Sequence, residues 1–180
     1  MSEAPSLRER CLAIELLVVD VDGVLTEGGI VYGSTGLELK RFHVRDGFAL
    51  RRWRQAGKQA AVITGRSSPI VELRAQEVGI ESVIQGAAEK GPAYRHLLAQ
   101  AGLAPRQICY IGDDLPDLPA LRDCGLAVAV ADAAAAVRAA AHYVTRNPGG
   151  RAAVREVVEL ILRCQGLWQP SADGPRGASL

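Results

Sequence analysis

Short apolar runs recur along the chain with no polar alternation inside them, and amphipathic stretches separate them. The runs are Leu16–Asp20, Gln59–Ile63, Ser82–Ile84, Gln107–Ile111, Leu126–Val130 and, more weakly, His142–Val144. A strand that is apolar throughout is buried on both faces, which is the condition of a parallel sheet. The stretches between them read as helices: Gly47–Ala56, Pro69–Val78, Ala88–Ala101, Leu115–Arg122, Ala133–Ala140 and, at the end, 150–164. Asp46 stands where a cap for the first is expected, and Gly57, Gly79 and Gly102 stand where helices stop. Strand–helix alternation demands right-handed crossovers with helices on both faces. The predicted fold class is therefore α/β, an open, doubly wound parallel sheet of about six strands. Such sheets bind ligands beyond the carboxyl ends of their strands.

One segment breaks the pattern. Residues 28–44 hold two β-like arms around Gly33-Ser34-Thr35-Gly36, which predicts an inserted β-hairpin. It is either a surface decoration or an element of assembly or substrate gating, since exposed strand edges invite pairing. The domain is expected over 12–165, with 166–180 as a flexible tail rich in small residues.

Composition excludes several functions. A length of 180 residues suits one domain, and 21 basic against 20 acidic side chains leaves a net charge of +1. That balance argues against a nucleic-acid surface, and 4% aromatic residues argues against base-stacking platforms. No apolar run is long enough to cross a bilayer, so no membrane partner is expected. The charged N-terminal residues do not suit a signal peptide, which places the protein in the cytoplasm. Cys11, Cys109, Cys124 and Cys164 show no metal-binding spacing and read as free thiols.

The chemistry is concentrated at predicted strand ends. Asp20 and Asp22 close the first strand and, being two residues apart in extended backbone, point to one side. Two such carboxylates repel unless a cation or shared proton relieves them. Gly23 then allows a turn and lets a backbone amide approach an anion. Thr64, Gly65 and Arg66 end the second parallel strand, Lys90 begins a helix after the third, and Asp113, Asp114 and Asp117 follow the fourth. Clustered carboxylates suit an oxygen-ligated hard cation such as Mg²⁺. Together these groups suit phosphoryl chemistry: one carboxylate to attack phosphorus, another to protonate the leaving alkoxide, and a cation with Lys90 to neutralise the phosphoryl oxygens. No Walker motif is present.

In this order, DVDGVLT, ITGR, Lys90 and GDDLPD resemble the four motifs of the haloacid dehalogenase superfamily of phosphatases. The hairpin, KRFHVRDG over Lys40–Gly47, Gln85-Gly86 and GGRAAVRE over Gly149–Glu156 are similar to the small, cap-less phosphatases acting on 3-deoxy-D-manno-octulosonate 8-phosphate (Kdo 8-phosphate). The resemblance implies a tetramer joined through hairpins. It implies Asp20 as nucleophile, with Asp22 as acid and then base. Mg²⁺ would be held by Asp20, the carbonyl of Asp22, and Asp113, with Asp114 and Asp117 behind it. The phosphoryl group would meet Gly23, Thr64, Gly65 and Lys90, and the sugar acid would meet Arg66, Arg45 and Asp46. Related phosphatases act on nine-carbon sugar acids, and some domains of this kind serve only to oligomerise. Retention of Asp20, Asp22, Lys90 and Asp113 favours catalysis.

Overall fold

The computed structural model describes residues 4–168. Most of the predicted tail, 169–180, lies outside the described residues. In chain order the elements are α1 (Leu7–Ala13), β1 (Leu16–Val19), β2 (Val31–Tyr32), β3 (Glu38–Leu39), α2 (Val44–Gln55), β4 (Gln59–Ile63), α3 (Pro69–Val78), β5 (Ser82–Ile84), α4 (Lys90–Ala101), β6 (Ile108–Gly112), α5 (Leu118–Asp123), β7 (Leu126–Ala129), α6 (Ala135–Ala140), β8 (Tyr143–Val144) and α7 (Ala153–Cys164).

Six parallel strands form one sheet in the order β5-β4-β1-β6-β7-β8. All four residues of β1 are buried, as are all those of β6 and β7. This is why these strands read as uninterrupted apolar runs. Helices α1, α2 and α7 pack together, and α4 packs on α5. The sequence order reverses at β1: the chain runs outward to β4 and β5, then returns to β6 on the other side. The carboxyl end of β1 is therefore the crevice of the fold.

Antiparallel β2 and β3 form the inserted hairpin. No second, cap-like unit is found among the described residues. All four cysteines are free. No described helix is long and apolar enough to cross a membrane.

Four local expectations change. Helix α1 was not anticipated, although Ser6 and Glu9 form a reciprocal capping box that announces it. Helix α2 starts at Val44 rather than Gly47, because His43 Nδ1 accepts from the amide of Arg45 and caps the helix there. Asp46 does not cap its own helix. Its buried carboxylate accepts from the amide of Arg155 at 2.7 Å, in the first turn of α7, which has no side-chain cap of its own. The stretch Leu115–Arg122 divides into a tight turn over Leu115–Asp117 and α5, with Pro116 and Pro119 at the two starts.

Candidate active site

Strand β1 delivers Asp20 to the crevice with its amide bonded to the carbonyl of Ile111 on β6. Asp20 and Asp22 are both extended, and Gly23 has φ +93°, so the backbone turns sharply after the second carboxylate. A Cβ at Gly23 would lie 2.0 Å from Asp113 Oδ2. Only glycine lets the β1 loop and the β6 loop meet this closely.

Lys90, at the start of α4, lies against both. Its side chain is 6% exposed, and Nζ stands 2.8 Å from Asp20 Oδ2 and 2.7 Å from Asp117 Oδ1. Burial opposes the Lys90 charge, but the two carboxylates outweigh it and raise its pKa. Asp117 is fully buried and fully committed. Its Oδ1 accepts from Lys90 and from the Tyr110 hydroxyl, and its Oδ2 accepts from the amides of Asp113 and Asp114. Asp117 thus fixes the loop that carries Asp113. Tyr110 was not foreseen, and a buried aromatic within a strand gives no sequence signal of such a role.

Carboxylate oxygens of Asp20, Asp113 and Asp117 lie within 4.8 Å of one another. Burial pushes Asp20 up to about 6, with Lys90 opposing and Asp117 adding to the rise. Burial, then the charges of Asp20 and Asp117, push Asp113 up to about 7. Asp20 Oδ1 is buried with no hydrogen-bond partner. An orphaned carboxylate oxygen beside a second strained carboxylate fits a bound hard cation, since all donors present are oxygens. Because the oxygens of Asp117 are already taken, Asp20 and Asp113 are the side chains left to hold it.

Thr64, Gly65, Arg66 and Lys90 line a cleft of about 300 Å³ with Asp20, Asp22 and Asp113. Asp114 lines the same cleft, and its side chain also caps the Leu115–Asp117 turn. The structure therefore brings together the four segments singled out in the sequence. The hairpin packs against two residues of this lining, Asp22 and Arg66. Lys40 pairs with Asp22 Oδ1, and Glu38 Oε1 binds Arg66 at 2.9 Å. The Tyr32 hydroxyl is 3.2 Å from the same Arg66 nitrogen. Neither Glu38 nor Lys40 was expected here. The signal existed in Leu37-Glu38-Leu39-Lys40, where alternation sends Glu38 and Lys40 to one side.

Arg45 and Asp46 are not in this cleft. Arg45 lines a separate groove with Tyr143, Arg146 and Arg155. Asp46 is sealed against α7, and burial raises its pKa while the Arg155 amide opposes the rise. Neither is among the residues lining the Asp20 cleft, because the first turn of α2 packs toward α7.

A family model for haloacid dehalogenase-like hydrolases matches residues 73–156. The 3-deoxy-D-manno-octulosonate 8-phosphate phosphatase KdsC of Yersinia pestis is 46% identical over 177 residues, covering 98% of this chain and 92% of the relative. The solved structure of the Y. pestis phosphatase superposes with a TM-score of 0.88 at 47% identity, covering 89% of this chain and 87% of that one. That of the Moraxella catarrhalis phosphatase, solved in complex with magnesium, phosphate and KDO, superposes with a TM-score of 0.87 at 44% identity, covering 88% of this chain and 91% of that one. By identity, coverage and the geometry of its cleft, the chain belongs to the 3-deoxy-D-manno-octulosonate 8-phosphate phosphatases, within the haloacid dehalogenase-like hydrolases.

Proposed function

We propose that this chain is a Mg²⁺-dependent phosphatase that hydrolyses Kdo 8-phosphate to Kdo and inorganic phosphate, in the supply of lipopolysaccharide precursors. The observation that carries it is the Asp20–Lys90–Asp117 cluster, with an orphaned Asp20 oxygen and the Asp113 carboxylate close by. Named relatives with this activity support the substrate.

Asp20 is the nucleophile. One of its carboxylate oxygens attacks phosphorus as the bond from phosphorus to the sugar C8 oxygen breaks. Asp22 gives the departing oxygen its proton. Asp22 then takes a proton from water, whose oxygen attacks the aspartyl-phosphate and returns Asp20 with release of phosphate. Lys90, Thr64 and the amides of Gly23 and Gly65 hold the phosphoryl oxygens. Asp20, the carbonyl of Asp22, and Asp113 would hold Mg²⁺, with Asp114 and Asp117 supporting the loop behind them. Bound there, the cation offsets negative charge between carboxylates and phosphoryl group. Arg66 stands at the mouth of the cleft, its guanidinium apt for the sugar carboxylate.

We further propose that the chain forms a homotetramer through residues 28–44. Val31, Leu37 and Leu39 lie on one side of the hairpin and are each more than half exposed, an apolar face unusual on an isolated hairpin. Four free thiols suit the reducing cytoplasm, where this reading places the protein. We propose one domain over 12–165, extended at its N-terminal side by α1, which packs on α7, and a tail over 166–180. Arg45 and Asp46 are set aside as substrate ligands of the same chain.

Phosphate release with Mg²⁺ on Kdo 8-phosphate and on a nine-carbon sugar-acid 9-phosphate tests the function. The expected result is a strong preference for the former. Preference for the latter keeps the mechanism and removes the substrate assignment; inactivity on both removes the function.

A further inference from the structure

The hairpin does more than offer an apolar edge. Along Leu37–Lys40, Leu37 and Leu39 face outward, while Glu38 and Lys40 turn toward Arg66 and Asp22, which line the cleft. The Lys40 side chain is only 2% exposed. Burying an ammonium is unfavourable unless it is paired. Its partners are Asp22 Oδ1 and, at 3.6 Å, Glu38 Oε1. Glu38 in turn binds Arg66 at 2.9 Å. Glu38 thus stands between the two cations nearest Asp22, the buried Lys40 and the cleft-lining Arg66.

The two oxygens of Asp22 are treated differently. Oδ1 is held by Lys40. Oδ2 lies 3.8 Å from Arg66 Nε, beyond hydrogen-bond range, and Arg66 Nε has no other partner. A carboxyl group turns about a broad torsional minimum when nothing holds it. Pinning one oxygen fixes the direction in which the other points.

We propose that Lys40 is a positioning residue for the proton-transfer step: by holding Oδ1 of Asp22 it presents Oδ2 to the leaving oxygen of the substrate. This rests on the reading of Asp22 as acid and base given above. Proton transfer needs hydrogen-bond contact in the transition state, so an untethered Asp22 acts from the wrong direction part of the time. The cost falls on substrates whose leaving group needs a proton. It does not fall on esters whose leaving group departs as a stable anion.

The test compares Kdo 8-phosphate, an alkyl ester with a strongly basic leaving oxygen, with p-nitrophenyl phosphate, an aryl ester with a weakly basic one. The quantity read is the ratio of kcat on the first to kcat on the second. Asp22→Ala is the reference, expected to lower the ratio by roughly 100-fold or more, the usual contribution of general acid catalysis. Lys40→Met is expected to lower it by at least about 10-fold, chiefly through kcat rather than KM, as lost positioning does. Lys40→Arg, which keeps a cation, is expected to recover most of the ratio. Lys40→Gln is measured in parallel and held to the same outcome, should the apolar variant fail to fold.

If the folded Lys40 variants keep the ratio while Asp22→Ala loses it, the positioning role is wrong and the Asp22 reading stands. If Asp22→Ala also keeps the ratio, both fall together. A rise in KM with the ratio unchanged overturns the proposal in favour of substrate binding by Lys40.

Discussion

Gly149, on the loop between β8 and α7, packs directly on Gly23: a Cβ added to Gly149 would come within 1.7 Å of the Gly23 carbonyl oxygen. The neighbouring Gly150 amide donates to the Val24 carbonyl at 2.9 Å. The turn that aims Asp20 and Asp22 is thus held from behind by a segment more than a hundred residues away in sequence. Gly149→Ala should push that turn toward Asp113. Displacing a reacting group by about 1 Å costs roughly 100-fold in rate. Phosphate release at saturating substrate reads this, and a variant within a few-fold of the parent would show that the contact does not govern the turn.

Asp117 is expected to matter for stability as much as for rate. It is fully buried and accepts from Lys90, Tyr110 and two backbone amides. Without it Lys90 keeps Asp20 as a partner, but the Tyr110 hydroxyl and the amides of Asp113 and Asp114 lose theirs, at about 1–3 kcal/mol for each buried group left unsatisfied. Asp117→Ala should therefore unfold at clearly lower denaturant concentration, with activity reduced because the Asp113 loop loses its anchor. An unchanged midpoint would contradict the buried network.

Metal dependence should carry a pH signature. Burial raises Asp20 to about 6 and Asp113 to about 7, from 3.8 in the unfolded chain. A raised carboxylate pKa means the folded state binds more protons than the unfolded one between those values. Metal-free stability is then greatest below about pH 4 as far as these two groups are concerned, and falls as pH rises toward 7. A cation must displace those protons, so Mg²⁺ should stabilise more at pH 8 than at pH 5. At one hundred times its Kd the gain is about 2.7 kcal/mol, or roughly 5–10 °C for a domain of this size. Melting curves with Mg²⁺ and with EDTA at both pH values check this. Equal shifts at the two would remove the site from Asp20 and Asp113.

The outer face of the hairpin should control assembly. Val31 and Leu39 are directly paired across β2 and β3, and both are exposed. Lysine at both positions places like charges side by side on the face proposed to associate. Light scattering should report a tetramer for the parent and a smaller species for the double variant. A parent that runs as a monomer would end the assembly proposal.

The sequence by itself determined the frame. Strands buried on both faces must be apolar throughout, so Leu16–Val19, Ile108–Gly112 and Leu126–Ala129 were legible as a parallel sheet. In such a sheet function collects at strand ends, so Asp20, Thr64, Lys90 and Asp113 were legible as one site before their distances were known. The inserted hairpin was legible from its turn residues. Tertiary structure alone decided which carboxylates remain free. Asp117 faces Lys90 across 27 residues and Asp46 meets Arg155 across 109, so one became the anchor of the Asp113 loop and the other the cap of α7. It also decided that Lys40 reaches Asp22 and that Gly149 backs Gly23. Periodicity tells which side of its own element a residue faces. What stands on that side depends on how separate elements pack, and no local pattern encodes it.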